Sequence, residues 1–362
     1  MTQASQLSSI LDEVDTIMMQ GIQEHVFPGA ALWIGWRGET VKCAAYGKTA
    51  DRAYGAYSPI PVTTKTLYDL ASLTKIVATT CAVMRLVEQG LLQLEDPVSK
   101  YIPPFGADPR KSAITIKHIL THTSGLPGPL KLFKQYHGKD HIIDGICSQE
   151  LVFRPGTQRL YCDLGFILLG EVIRVASSLR LDEYVQRYLF APMNMRDTMF
   201  LPPETLKDRI APTELVKWRG GLVHGEVHDE NAWATGGVAG HAGLFSTVED
   251  IAQFCLMIMK RGEYEGKRIL HTGSVLSMET LQVPDPDESF GLGWVINAPY
   301  FMGSLASSNT IGHTGFTGTS MVLDPSRRLA IVLLTNCVCP TRNGPRLNPY
   351  RRRIADTVAK LC

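Results

Sequence analysis

Long apolar runs are missing from this 362-residue chain: no segment reaches the about 18 uninterrupted apolar residues a membrane helix needs. The N-terminal MTQASQLSSILDEVDTIMMQ lacks both a basic start and a long apolar centre. These two absences predict no membrane span, no secretory leader and a cytoplasmic location. An excess of charge is also missing. Thirty-six Lys and Arg against 35 Asp and Glu give a formal charge of +1, with the two signs interspersed. That leaves no electrostatic footprint for nucleic acid or an anionic membrane, so a soluble small molecule is the expected partner. Eight cysteines are scattered, and Cys81, Cys147 and Cys255 sit in apolar runs, a pattern of buried thiols in a reducing compartment rather than a disulfide framework. No internal repeat or low-complexity linker interrupts the chain. There is no GxSxG elbow, no HExxH, and no GKS/T ending on the glycine-rich stretch 236–243, which reads as a tight-packing loop near a cleft.

With 44% hydrophobic residues the chain has ample material for a core. Leu7 to Glu24 has the pattern of an amphipathic helix. Gly29 to Trp36 and Thr40 to Tyr46, joined at Arg37-Gly38, predict an antiparallel hairpin. Helical patterns follow from Ser72 to Gln89 (stopping at Gly90), from Ile116 to Leu120 behind a Thr115 cap, and over Leu164–Val175, Leu181–Phe190 and Val248–Met259. Strand character returns at Leu292–Ile296, Thr319–Leu323 and Leu329–Thr335, before a last helix from about Tyr350 to Leu361. The expected fold is α/β plus α, with an antiparallel sheet assembled from both ends of the chain. Residues 1–66 and 237–362 are read as the sheet domain, residues 67–236 as an inserted, mainly helical domain, and the active site as lying between the two.

Three short motifs can carry chemistry. Ser72-Leu73-Thr74-Lys75 sets a hydroxyl and an amine three residues apart, on one face of a helix. Serine attacks acyl carbons only when a neighbour takes its proton, and a lysine with a lowered pKa at a positive helix end would serve. Tyr161-Cys162-Asp163 follows the turn signal Pro155-Gly156 and precedes a strong helix, which puts Tyr161 on a loop facing a cleft. A phenol near a lysine can act as general base and then return the proton. His313-Thr314-Gly315-Phe316 precedes a strand, where glycine lets backbone approach a ligand; the second such motif, His271-Thr272-Gly273, reads instead as a helix entry. Metal hydrolysis is the main rival, from the i, i+4 pairs His118/His122, His137/His141 and His224/His228, but none has the HExxH form. Cys337-Val338-Cys339 reads as a strand end with both thiols on one side.

In their order, SxxK, then Tyr-x-Asp, then His-Thr-Gly, the three motifs resemble those of the serine β-lactamase and penicillin-binding-protein superfamily. Within it the likeness is to class C β-lactamases, D-alanyl-D-alanine carboxypeptidases and family VIII carboxylesterases. Leu120-Thr121-His122-Thr123-Ser124-Gly125-Leu126-Pro127, Ala242 to Thr247 and Leu334-Thr335-Asn336 match stretches common in the group. Val227 to Ala232 with Gly236 to His241 is similar to the penicillin-binding protein 4B branch. The resemblance implies the β-lactamase/transpeptidase-like fold and an acyl-enzyme serine hydrolase using neither metal nor cofactor. It implies Ser72 as nucleophile, Lys75 as its proton partner and Tyr161 as general base and acid. The backbone N–H groups of Ser72 and Phe316 would form the oxyanion hole, with His313, Thr314 and Gly315 lining the pocket and Asp163 at the usual asparagine position. Two departures matter. His313 stands where most β-lactamases have lysine, which weakens any fixed charge for a β-lactam carboxylate; Asp163 is a carboxylate where an amide is usual. Carboxylic esters or related acyl compounds are the expected substrates. A D-alanyl-D-alanine carboxypeptidase with weak β-lactamase activity, or a peptidoglycan sensor that is acylated without turnover, is the alternative.

Overall fold

The computed structural model describes residues 3–284 and 288–362. Its central feature is a seven-stranded antiparallel sheet. The strands are β1 (Gly29–Trp36), β2 (Glu39–Gly47), β3 (Ser289–Phe290), β4 (Val295–Ile296), β5 (Ile311–Thr314), β6 (Ser320–Asp324) and β7 (Leu329–Thr335), in the order β3-β4-β5-β6-β7-β1-β2. The first and last parts of the chain therefore meet in the middle of the sheet, where β1 pairs with β7 from Ala30 opposite Thr335 to Trp36 opposite Leu329. Both are continuous apolar runs, GAALWIGW and LAIVLLT, because both of their faces are covered.

Strand alternation sorts these side chains into two cores. Leu32, Ile34, Ile331 and Leu333 face a layer made by helices α1 (Gln3–Gln23) and α6 (Asn348–Val358), where Val14, Met18, Ile354 and Val358 are buried. Ala31, Trp33, Val332 and Leu334 belong to the larger core, which runs under helix α5 (Val248–Met259) and on into the helical part of the molecule. That part contains α2 (Cys81–Glu88), α3 (Lys139–Cys147) and α4 (Asp163–Ser177), with Phe166, Leu168 and Val172 of α4 buried among Ile76, Val77 and Ile119.

Several boundaries differ from those expected. Of the expected Leu292–Ile296 strand only Val295–Ile296, β4, is extended, and β3 precedes it across the Gly291-to-Trp294 bend. His313 and Thr314 precede β6 as expected but also form a strand of their own, β5. Cys337 and Cys339 lie beyond β7 in a turn that leads into Pro340, so the strand-end reading fails there. All eight cysteines are free.

The glycine-rich loop packs as tightly as backbone can. A Cβ placed on Gly240 would lie 2.0 Å from the Phe166 carbonyl oxygen and 3.1 Å from the Gly170 nitrogen, both on α4. Neither atom belongs to a flexible side chain, so there is nothing to move aside. Gly240→Ala is expected to cost about 1–3 kcal/mol through overpacking. Thermal unfolding checks this; an unchanged melting temperature would contradict the close approach of this loop to α4.

Candidate active site

Ser72 is reached through a strained step. Ala71 just before it has φ +47°, a left-handed conformation that costs a side-chain-bearing residue about 1–3 kcal/mol. Hydrogen bonds over-determine this geometry. Asp69 accepts the Ala71 N–H at Oδ1 (2.8 Å) and the His228 N–H at Oδ2 (2.7 Å). The carbonyls of Asp69 and Leu70 accept the hydroxyls of Thr317 (2.7 Å) and Thr319 (2.9 Å), which belong to the β5–β6 connection. The segment leading to Ser72 is thereby laced to the strand that ends in His313-Thr314.

Residues 72–89 are not one regular helix. A 3₁₀ turn covers Ala71–Leu73, a π-helical stretch covers Lys75–Thr80, and α2 begins only at Cys81. Part of the reason is local: Thr80 donates its hydroxyl to the Lys75 carbonyl at 2.8 Å, competing with the regular backbone ladder. The two side chains of the SxxK motif still meet, with Lys75 Nζ donating to Ser72 Oγ at 2.9 Å.

Lys75 is completely buried, and its ammonium has four kinds of neighbour. It is 2.6 Å from Asp163 Oδ1, donates to the His241 carbonyl at 3.3 Å, and lies 4.8 Å and 5.6 Å from the ring centres of Tyr161 and Phe166. Burial is the largest single influence and pushes its pKa down, but Asp163 and Tyr161 together outweigh it, so the lysine titrates above its ordinary value. The expected lowered pKa is therefore corrected. The helix end is a weak partial charge, whereas Asp163 is a full one in direct contact. The contact with Asp163 favours the ammonium form of Lys75.

Tyr161 lines the same cleft as Ser72, and its ring centre is 4.8 Å from the Lys75 ammonium. Burial raises the pKa of its phenol and the adjacent ammonium partly offsets this. His122 holds the loop that carries it. The Leu160 N–H donates to the His122 carbonyl at 2.9 Å, the Cys162 N–H donates to His122 Nδ1 at 3.2 Å, and the two rings lie 4.5 Å apart. His122 is buried, and that burial with the nearby Lys75 charge keeps it neutral. The sequence offers His122 in the family-like Leu120–Pro127 stretch and as half of a metal pair with His118. His118 instead accepts the Thr115 N–H at 3.2 Å in a capping box. Among the described residues, no group of three or more His, Cys, Asp or Glu could hold a metal ion.

Ser72, Tyr161, His313, Thr314, Gly315 and Phe316 line one cleft of about 470 Å³. Lys75 and Asp163 lie behind its wall. His313 donates from Nδ1 to the Thr314 carbonyl at 2.9 Å, and burial followed by the Lys75 charge takes its pKa to about 3, so it is neutral. Gly315 is required by space: a Cβ there would lie 2.0 Å from Thr319 Oγ1 and 2.5 Å from the Leu70 carbonyl oxygen. Phe316, 59% exposed, stacks on His228 at 5.7 Å. The same cleft is also lined by residues that no sequence motif pointed to: Glu288, Tyr300, Arg346 and Arg351. Arg351 donates to the Thr319 carbonyl at 2.7 Å and the Gly315 carbonyl at 3.3 Å; burial lowers its pKa to about 10, which leaves it charged at neutral pH.

The arrangement agrees with what the chain is similar to. The beta-lactamase family model matches residues 14–356. The chain belongs to the beta-lactamase family. That places it in the serine hydrolase superfamily. A Salmonella agona (strain SL483) protein provisionally named D-alanyl-D-alanine carboxypeptidase is 36% identical over 340 residues, covering 85% of this chain and 78% of that protein. The octameric penicillin-binding protein homologue from Pyrococcus abyssi superimposes with a TM-score of 0.75 at 25% identity, over 96% of this chain and 77% of its own. EstCE1, described as a hydrolase with promiscuous acyltransferase activity, superimposes with a TM-score of 0.78 at 23% identity, over 97% and 99% of the two chains, and speaks to the fold alone. The β-lactamase/transpeptidase-like fold read from the motifs is the fold observed.

Within this beta-lactamase-family site, Asp163 controls the proton inventory. Its carboxylate stabilises the ammonium of Lys75 and disfavours a phenolate on Tyr161. Whichever group is the base, it must be deprotonated to work, so removing the carboxylate moves the acidic limb of kcat/KM to lower pH. Asp163→Asn is expected to shift that limb down by about 1–3 pH units. A pH-rate profile checks it; a limb that stays or rises contradicts the coupling.

Proposed function

We propose that this chain hydrolyses carboxylic esters of small acyl groups through an acyl-enzyme on Ser72. The contact between Ser72 Oγ and the fully buried, Asp163-paired ammonium of Lys75 carries the reading. Tyr161, as the phenolate that the Lys75 ammonium stabilises, accepts the Ser72 proton as Oγ bonds to the acyl carbon and becomes a neutral phenol. The N–H groups of Ser72 and Phe316 receive the oxyanion. Tyr161 then gives that proton to the departing alcohol and is a phenolate again; in the second half it takes a proton from the water that attacks the acyl-enzyme carbonyl, and returns it to Ser72 Oγ as the acyl–Oγ bond breaks and the acid leaves. His313 and Thr314 shape the acyl pocket. The cleft lies between a sheet domain of residues 1–66 and 237–362 and a helical domain of residues 67–236.

A neutral His313 supplies no charge for a β-lactam carboxylate, which supports neutral esters as substrates. A second reading has its own support: Arg346 and Arg351 put positive charge in the cleft lining, where the carboxylate of a D-Ala-D-Ala peptide would fit, and the Salmonella agona relative carries a carboxypeptidase name. Eight free thiols support a cytoplasmic setting. No helix among the described residues is long and apolar enough to cross a membrane.

Comparing kcat/KM for short p-nitrophenyl esters, a D-Ala-D-Ala peptide and nitrocefin tests the substrate class. Esters are expected to lead nitrocefin by a wide margin, and equal nitrocefin turnover contradicts the reading. Ser72→Ala is expected to lose several orders of magnitude in rate with its fold intact. Retained turnover would overturn the nucleophile.

A further inference from the structure

A second cavity, of about 360 Å³, shares no lining residue with the catalytic cleft. It lies between α3, α4 and the loop that follows residue 234. Ile143, Ile167, Leu181 and Val238 give it an apolar floor. The charged residues that line it are three cations, Lys139, Arg174 and Arg180, and one acid, Glu171. Glu171 is shared: Lys139 reaches it at 2.8 Å and Arg174 at 2.6 Å. Arg180 pairs with Asp182 at 2.9 Å, and the exposed Asp140 is 3.6 Å from Lys139; both of these acids lie outside the lining. Asp182 and Asp140 balance the charge from outside, so the lining itself presents three cations and one carboxylate beside the apolar residues of the pocket. The volume is in the range of small-molecule sites, and the combination suits a ligand with an apolar body and a single anionic head.

The wall of this cavity continues into the catalytic centre. Val238 and Ala239 line it. The next two carbonyls in the chain are those of Gly240, which accepts the Thr79 hydroxyl at 2.7 Å, and of His241, which accepts the Lys75 ammonium at 3.3 Å. On the other side Ile167 of the floor follows Phe166, whose ring lies 5.6 Å from the same ammonium. Gly240 rests directly on the α4 backbone, so displacement of the loop at Val238 has no soft side chain to absorb it.

We propose that this cavity binds a small amphipathic carboxylate, head toward Lys139 and Arg174 and tail on the apolar floor, and that loop 235–241 transmits its occupancy to Lys75. On the ester-hydrolase reading, the acid released by turnover belongs to this chemical class, which makes the cavity a product-sensing site. Only the kinetic arm of the test rests on that reading.

Octanoate is the probe, titrated calorimetrically into the full chain. One binding site is expected, with affinity lost in Val238→Trp, which fills the cavity, weakened at least about tenfold in Lys139→Glu, and retained in Arg351→Ala, which alters the catalytic cleft. The Lys139 variant changes a surface position and keeps the test decisive if the tryptophan variant does not fold. No binding at all, or binding lost in Arg351→Ala and kept in both cavity variants, overturns the site. For the coupling, octanoate is expected to change kcat for a short ester in the wild type and not in Val238→Trp. A purely competitive effect, or no effect while octanoate binds, overturns the link to Lys75.

Discussion

The contact between Lys75 and Asp163 is the one on which the rest of the site depends. An ammonium with no solvent exposure is sustainable only with a charge partner, because breaking a buried pair by removing one member costs about 3–5 kcal/mol. Asp163 opens α4, where the free N–H groups of a first turn favour a carboxylate, so the partner is itself well placed. With the pair intact, Lys75 is a fixed positive charge directed at Ser72 Oγ and at the Tyr161 ring. This divides the labour between the two groups. In the proposed mechanism lysine supplies field and hydrogen bonds, and the proton traffic falls to the tyrosine.

Everything around the pair holds it in register with the sheet. Asp69 and the hydroxyls of Thr317 and Thr319 join the strained approach to Ser72 to the end of β5. His122 fixes the loop that presents Tyr161, and the backbone-on-backbone seat of Gly240 fixes the carbonyl of His241 beside the ammonium. These supports come from distant parts of the chain. They converge because β1 and β7 pair in the middle of one sheet and close the N- and C-terminal segments over the helices between them.

What the sequence made legible were features set by local spacing or by their order along the chain. Ser72 and Lys75 meet because they are three residues apart, and a sheet assembled from both ends of the chain follows from the strand patterns at Gly29–Trp36 and Leu329–Thr335. The protonation of Lys75 was not legible, since it depends on how closely Asp163, 88 positions later, approaches it. His122 lies in the Leu120–Pro127 stretch, but its part as the support of Tyr161, like the places of Arg346 and Arg351 in the cleft wall, comes only from tertiary contacts. The 3₁₀ and π-helical course from Ala71 to Thr80 escaped a periodicity argument because a strained Ala71 and a side-chain bond from Thr80 override the regular ladder there.

The central claim is that Ser72 is the acyl-accepting atom, activated by the buried group around it. Intact-protein mass spectrometry after brief exposure to a fluorophosphonate, followed by peptide mapping, reads this most directly because the adduct cannot turn over. The account predicts one adduct per chain, on the peptide containing Ser72, and none on the Ser72→Ala protein. An adduct on another residue, or an unmodified Ser72 in a folded chain, would contradict it.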